Sequence, residues 1–445
     1  MLNADIVVVG GSAAGITAAI TARRHHPDKS ILLLRKEAQV PIPCGIPYVY
    51  GTLGSPDKNL IPDTVLETNR IEWQVTEVTA IDPQARRLTT ADGQIGYERL
   101  ILATGSVPTR PPIDGIDRDG VFAILKDVPY LRQLQDHLAD ATDIVIIGCG
   151  FIGIEFADEI NKLDGKHITV VELAPSCLSL SYDPEFCTEM ETLVRERGVT
   201  IRTNASVERI SGNGRADAVV LEGGTRIPAD LIVLGIGARA NVGLAADAGL
   251  DLGPTGGIAV DRAMQTSDPV IFACGDCAEK ISFFGGKPFP LKLASIAQLE
   301  DRIAGANVYG LRRESEGTLG VWSTAVGDLA MGTAGLTETM ATSRGYDVVS
   351  GTVETPNRHP GSMPGAAAMK VKLVFERHSQ ALLGGQVRGS DAVGELINTI
   401  AACVQKRMTA EDIAMFQMGT HPALTASPIA YPLVNAAEIA ISRMR

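Results

Sequence analysis

Ile6 to Val9 is a short, β-branched apolar run that ends in Gly10-Gly-Ser-Ala-Ala-Gly15. Apolar residues then recur at helical spacing from Ile16 to Arg24, and Ile31-Leu-Leu-Leu34 follows as a second buried run. Strand, Gly-rich turn, helix and strand in that order predict the opening unit of a Rossmann-type sheet. The pattern returns at Asp143-Ile-Val-Ile-Ile-Gly-Cys-Gly-Phe-Ile-Gly153, followed by a helical stretch and by Ile168-Thr-Val-Val-Glu172. One chain therefore carries two dinucleotide-binding units, a duplication much rarer by chance than a single glycine fingerprint. Further strand-like runs enter turns at Leu100-Ile-Leu-Ala-Thr-Gly-Ser106, Leu231-Ile-Val-Leu-Gly-Ile-Gly237 and Val270-Ile-Phe-Ala-Cys-Gly-Asp276. From about Leu319 the pattern changes. Strand-like runs at Met369–Phe375 and Leu382–Val387 precede a helical stretch from Val393 to Gln405, which predicts a separate α+β domain. Thr409-Ala-Glu-Asp412 has the spacing of a capping box opening the next helix.

Composition narrows the classes. At 445 residues, 45% hydrophobic and with 46 glycines, the chain fits a core-rich α/β enzyme of two to four domains. Aromatic content of 4% and a net charge of −12 argue against nucleic acid and anionic membranes as partners. No apolar stretch has the length of a membrane span, and the amino terminus lacks a basic leader, so a cytoplasmic setting is expected. Seven cysteines, an odd number without framework spacing, read as free thiols in a reducing compartment.

The fingerprints differ in quality. In the first, Gly10 permits the tight turn and Gly15 lets helix and strand pack closely, while Ser12 takes the middle position usually held by glycine. Arg35 stands where an acidic residue usually ends the second strand, followed by Lys36 and Glu37. Either Glu37 takes the ribose or the adenosine end of this site is unusual. The second fingerprint is complete in Gly148, Gly150 and Gly153, and Glu172 ends its second strand at the usual spacing. A carboxylate there accepts from a ribose 2′-hydroxyl and repels a 2′-phosphate, which favours NADH over NADPH. The spacing of Cys274-Gly-Asp-Cys277 also admits a metal or thioredoxin-like reading, but no second cysteine pair completes a zinc site and no metal site is expected. Cys44, in Val40-Pro-Ile-Pro-Cys-Gly-Ile-Pro-Tyr48, is the candidate redox thiol. No cysteine follows it within five residues, so no CxxxxC disulfide forms here. Pro47 is tolerated in a first helical turn, so a helix starting here would place Cys44 at its amino end, where thiolate is favoured.

Together these motifs resemble the flavin-dependent pyridine nucleotide–disulfide oxidoreductases over nearly the whole chain. Cys44-Gly-Ile-Pro-Tyr48 is similar to the single-cysteine branch, which holds coenzyme A disulfide reductases, NADH oxidases and peroxidases, and persulfide or polysulfide reductases. The resemblance implies an α/β fold with FAD- and NADH-binding Rossmann-like domains and a carboxy-terminal α+β dimerisation domain. Its implied boundaries are 1–115 and 249–318 for FAD, 116–248 for NADH and 319–445 for a homodimer interface. FAD then involves Gly10, Ser12, Ala13, Ala14, Gly15, Arg35, Lys36, Ala103, Thr104, Gly105, Gly275, Asp276, Lys292 and Ala294, with Asp276 on a ribityl hydroxyl. NADH involves Gly148, Gly150, Gly153, Glu172 and Gly237. Cys44 is the implied redox thiol, with His421 as acid/base across a dimer and Tyr431 as the alternative donor. Basic Arg23 and Arg24 are candidates for a coenzyme A phosphate. The carboxy-terminal segment Thr420-His-Pro-Ala-Leu-Thr-Ala-Ser-Pro-Ile-Ala-Tyr-Pro432 departs from the Tyr-rich segment of coenzyme A disulfide reductases. The implied reaction is NADH-dependent reduction of a disulfide, persulfide or polysulfide, including coenzyme A-linked ones. An NADH oxidase or peroxidase, and a redox-sensing flavoprotein with little turnover, remain the alternatives.

Overall fold

The Leu2–Val9 strand lies parallel between Ile31–Arg35 and Gly93–Leu102, with Val9 in register with both Leu34 and Leu102. Every residue of Ile31–Arg35 is buried, as expected of a parallel strand covered on both faces. In the computed structural model, which describes residues 2–444, this sheet belongs to the first of two compact units. That unit comprises residues 2–142, 209–218 and 228–318; the second comprises 143–208, 219–227 and 319–444.

In the first unit the sheet continues from Glu72–Val75 through Ile31–Arg35, Leu2–Val9, Gly93–Leu102 and Arg87–Thr90 to Val78–Asp82, with Ile271–Ala273 added beside Gly93–Leu102. Side chains alternate between two cores. Ile6, Val8, Leu33 and Ile101 face one, and Val7, Val9, Leu34 and Leu102 face the other. Helix Ala13–His25 covers the first core and packs on helix Ala294–Asn307. The approach is close enough that a Cβ on Gly305 would sit 2.4 Å from the Ala18 carbonyl oxygen. Ser106–Pro108 and Ala238–Ala240 form an antiparallel ribbon, and Val121–Ala123 pairs in parallel with Leu231–Leu234.

The second unit contains the parallel strands Thr200–Arg202, His167–Val171 and Asp143–Ile147, with helices Phe151–Ile160 and Pro184–Glu196. It also contains an antiparallel sheet in the order Val321–Val326, Leu329–Gly335, Leu382–Gly389, Ala368–Glu376 and Val348–Pro356. Helix Val393–Gln405 packs on this sheet at Leu329–Gly335 and Leu382–Gly389, and helix Pro432–Met444 packs at Val348–Pro356 and Ala368–Glu376. Thr409 and Asp412 form the expected capping box at the start of helix Ala410–Ala414.

Candidate active site

The first glycine loop is built by contact distances that exclude a side chain. Gly10 adopts φ +117°, and a Cβ there would lie 2.1 Å from the Ala103 carbonyl oxygen. A Cβ on Gly15 would lie 1.8 Å from the Gly10 carbonyl oxygen, so strand and helix close together only with glycine at both positions. Ser12 is extended at the N-cap of helix Ala13–His25, and among the described residues no side chain caps that first turn. Its backbone N–H groups, including those of Ala13 and Ala14, and the dipole of this 13-residue helix make the end suited to a pyrophosphate. The second loop repeats the construction. Gly148 adopts φ +101°, a Cβ on Gly153 would sit 1.9 Å from the Gly148 carbonyl oxygen, and one on Gly150 would meet no described atom within 4 Å. That open space over the start of helix Phe151–Ile160 is what close approach of a diphosphate needs.

Glu172 follows the strand His167–Val171, and its carboxylate accepts from the Cys149 N–H at 2.6 Å and the Ala174 N–H at 2.7 Å. These bonds aim the carboxylate beside the glycine loop and leave further lone pairs for a ribose hydroxyl. Arg35 is turned elsewhere. Its side chain is buried, donates to both carboxylate oxygens of Asp63 at 2.6 and 2.9 Å and to the Ala38 carbonyl, and lays its stem against Gly11. Arg35 thereby clamps the strand end to the segment at Asp63, while Lys36 next to it is exposed and Glu37 is half-buried. Arg23 likewise donates to the carbonyls of Pro27, Lys29 and Arg70, whereas Arg24 is exposed.

Ala103-Thr-Gly105 leaves the sheet in a turn with Gly105 at φ +70°. Thr104 donates its hydroxyl to the Asn241 carbonyl at 2.6 Å, and Asn241 N–H donates to the Gly105 carbonyl. Gly237 adopts φ +85° beside this ribbon, and its carbonyl accepts from Thr109 N–H. Asp276 lies in the Gly275–Cys277 turn and accepts from the Ser106 hydroxyl at 2.7 Å and from Lys126 at 3.4 Å. Lys292 is half-buried; desolvation lowers its pKa, and the charge of Asp276 opposes that shift. Ala294 is exposed at the first position of helix Ala294–Asn307.

Sequence reasoning missed the two residues that hold the Asp276 turn. Glu300 accepts the Gly275 N–H at 3.0 Å, and Lys280 donates to the Gly275 carbonyl at 2.6 Å. The two side chains are themselves ion-paired at 2.8 Å with each 4% exposed. Both backbone groups of a residue at φ +74° are thus fastened by one buried pair. Only a charge pattern across 20 residues signals it, and no local motif does.

Cys44 is exposed within the three-residue 3-10 turn Pro43–Gly45, which is followed by a second 3-10 turn, Pro47–Val49. The expected α-helix start is therefore corrected. Pro43 and Pro47 each lack an N–H, and the chain closes two separate i→i+3 turns instead of one helix. A turn this short sums too few peptide dipoles for the helix-dipole argument to apply. The turn is held from behind by Asn59, which donates to the Ile42 carbonyl at 2.9 Å. A Cβ on Gly45 would fall 2.0 Å from the Asn59 amide oxygen.

The reading of seven unpaired thiols is also corrected, because Cys149 and Cys177 form a disulfide across 28 residues. The glycine loop and the turn after Glu172 meet in space although no sequence spacing announces it. Cys274 and Cys277 are fully buried, burial raises their thiol pKa values, and Cys277 Sγ donates to the Leu102 carbonyl.

His421 is exposed in the turn before residue 430, with its Nδ1 accepting from Ala423 N–H at 3.2 Å. In the neutral ring this leaves the proton on Nε2. Tyr431 is half-buried, and burial raises its phenol pKa. In the second unit Glu155 sits on the helix behind the second glycine loop, accepts from Thr324 at 2.9 Å, and is pushed up to about 7 chiefly by burial. Its carboxyl is stabilising while protonated, and that contribution is lost as pH rises from about 4.5 through about 7. Glu155→Gln is therefore expected to raise stability at pH 8 by about 2–3 kcal/mol and to match the parent at pH 4.5. Denaturant titrations at the two pH values check this, and an equal effect at both would refute it.

Residues 4–299 match the pyridine nucleotide-disulphide oxidoreductase family, and residues 321–429 match that family's dimerisation domain. The chain is 30% identical to an NADH oxidase of Methanocaldococcus jannaschii, over 98% of this chain and 99% of that protein. It is 31% identical to an NAD(P)H coenzyme A polysulfide/persulfide reductase of Pyrococcus horikoshii, over 98% of each. Among solved structures, an NAD-dependent persulfide reductase from A. fulgidus superposes with a TM-score of 0.91 at 30% identity, covering 99% of this chain and 83% of that one. With two glycine loops shaped for diphosphates and matches along almost its entire length, the chain belongs to the pyridine nucleotide-disulphide oxidoreductases and is an FAD- and NADH-dependent oxidoreductase.

Proposed function

We propose that this chain reduces a small disulfide, persulfide or polysulfide with NADH, through Cys44 as its single redox thiol. The exposed thiol of Cys44, with no second cysteine within five residues, carries this reading. The names of the relatives from P. horikoshii and A. fulgidus support it. FAD, when bound by the first glycine loop and the Asp276 turn, supplies the two-electron relay between NADH and the thiol. The Cys44 thiolate attacks one sulfur of the substrate, a Cys44–substrate disulfide forms, and the other sulfur leaves as thiolate. Two electrons from NADH then cleave that bond, regenerating Cys44 and releasing the second thiol. The sum is NADH, one proton and one disulfide giving NAD⁺ and two thiols. His421 Nε2–H, or the Tyr431 hydroxyl in its place, protonates the leaving thiolate. Substrates linked to coenzyme A belong to this class. We assign FAD to residues 1–115 and 249–318, NADH to 116–248 and dimer contacts to 319–445.

A homodimer is part of the proposal. Met415, Leu424 and Ile429 are 82%, 72% and 90% exposed within one carboxy-terminal stretch, apolar side chains of the kind that a second copy covers. Ile429→Asp is expected to weaken dimerisation at least about tenfold, since a carboxylate would be desolvated at the contact. Analytical ultracentrifugation over a concentration series checks this, and an unchanged dimer would remove Ile429 from the interface. Among the described residues no helix is long and apolar enough to cross a membrane, and the cytoplasm is the proposed setting.

The kinship to the M. jannaschii protein favours a second reading, an NADH oxidase in which Cys44 passes through sulfenic acid. The deciding experiment measures NADH oxidation by the FAD-loaded protein in air, and again without oxygen on adding coenzyme A disulfide or polysulfide. Turnover without oxygen that depends on the sulfur compound supports the reductase. Turnover only in air replaces it with the oxidase.

A further inference from the structure

The Cys149–Cys177 disulfide joins the two segments that the nucleotide-binding architecture uses most directly. Cys149 is the second residue of the loop Gly148–Gly153, and Cys177 lies in the turn five residues beyond Glu172. The sulfur-bearing residues are 1% and 0% exposed, with Cα atoms 4.8 Å apart, inside the span a disulfide requires. Around the bridge, Cys149 N–H donates to Glu172 and Leu178 N–H donates to the Cys149 carbonyl at 3.0 Å. Cys177 N–H donates to Glu191 at 2.7 Å. The bridge therefore closes a ring that contains both the diphosphate loop and the carboxylate suited to the adenosine ribose.

We propose that Cys149 and Cys177 are a reversible redox pair that sets affinity for the pyridine nucleotide, the disulfide form being the tight-binding one. The inference rests on assigning Gly148–Gly153 and Glu172 to that nucleotide, and is independent of which acceptor Cys44 serves. Bonded sulfurs lie about 2 Å apart, whereas two thiols in contact need roughly 3.5–4 Å. With both side chains buried, reduction forces the loop and the turn to separate or to repack. Either change moves the N–H groups and the carboxylate that the disulfide holds in place. Oxidation is balanced by reagents of the same classes as the proposed acceptors. Two thiols and hydrogen peroxide give the disulfide and two waters, and two thiols and a small disulfide give the bridge and two small thiols. Reduction by a dithiol reverses it. Both cysteines are buried, so exchange requires the turn to open, and Leu173 and Leu180 on either side of Cys177 are 72% and 84% exposed. The enzyme would then bind its nucleotide tightly when oxidants are present and release it when they are exhausted.

The test is calorimetric titration of the FAD-loaded protein with NAD⁺, before and after reduction with a phosphine, and again after reoxidation with peroxide. Mass spectrometry of alkylated peptides follows the bridge in each sample. A linked Cys149–Cys177 peptide is expected, with the NAD⁺ Kd rising at least about tenfold on reduction and returning on reoxidation, the scale of an ångström-level misplacement. Cys177→Ala is expected to show the weaker Kd under both conditions, which separates this pair from oxidation at Cys44. Equal Kd values for the oxidised and reduced parent protein, or the absence of a linked peptide, would overturn the switch without touching the reductase reading. Absence of NAD⁺ binding in every sample would overturn the nucleotide assignment and the switch together.

Discussion

Cys44→Ser reduces sulfur turnover by roughly 10³-fold or more while FAD stays bound and its reduction by NADH proceeds at the parent rate. The expectation follows from where Cys44 sits. Its turn is held by Asn59 and by backbone bonds of the Val40–Leu60 region. Serine is slightly smaller than cysteine and fits the same turn, so the glycine loops and the Asp276 turn are expected to keep their geometry. A hydroxyl is a far poorer nucleophile toward sulfur than a thiolate, so attack on the substrate disulfide stops. Rapid-mixing measurement of flavin reduction, beside steady-state turnover of polysulfide, separates the two half-reactions. Parent-like polysulfide turnover by the variant would remove Cys44 from the mechanism. Loss of FAD along with activity would make its role structural.

Lys280→Met is expected to cost about 3–5 kcal/mol, because it leaves the Glu300 carboxylate buried without its partner. Lys280 Nζ donates at once to the Gly275 and Ala278 carbonyls and to Glu300, at 2.6, 2.9 and 2.8 Å. Three acceptors lose their donor in a region where both charged side chains are 4% exposed. The same change releases one side of the Gly275 clamp, so the Asp276 turn loosens and, with FAD assigned to that turn as proposed, FAD is expected to dissociate more readily from the variant. Denaturant unfolding of apo and FAD-loaded protein, with FAD release followed by fluorescence, measures the two effects separately. The double variant Lys280→Met, Glu300→Leu recovers only part of the stability, since it removes the unpaired charge but leaves the Gly275 N–H and the Gly275 and Ala278 carbonyls without these partners. A single variant within 1 kcal/mol of the parent would show that protonation, water or another group serves the Glu300 carboxyl, which burial already pushes up to about 7. That outcome would remove the clamp from the account of FAD binding.

Both glycine loops were legible in the residue order because their requirement is local. A helix closes on a preceding strand only if the residues at the contact lack a Cβ, and a Cβ on Gly10, Gly15 or Gly153 would meet a carbonyl oxygen at a distance that no side chain survives. The same holds for the Val393–Gln405 helix, read from its period, and for the Thr409–Asp412 capping box, read from a three-residue offset. The flanking strands announced themselves as uniformly apolar runs because burial on both faces leaves no polar position.

Partner choice across the fold was a different matter. Arg35, in the place of a ribose acceptor, is engaged with Asp63 28 residues away, and Lys280 meets Glu300 because the segment after a strand-end turn and the middle of helix Ala294–Asn307 converge. The Cys149–Cys177 bond exists because a glycine loop and the turn after a neighbouring parallel strand lie at the same end of a sheet. The turn at Cys44 became two 3-10 turns, since two prolines and the contact of Gly45 with Asn59 outweigh any local tendency toward helix. Periodicity and steric exclusion act between residues a few positions apart, and they are written in the order of the chain. Ion pairing, disulfide formation and the packing of a turn depend on which distant segments the sheets bring together, and tertiary structure alone decides that.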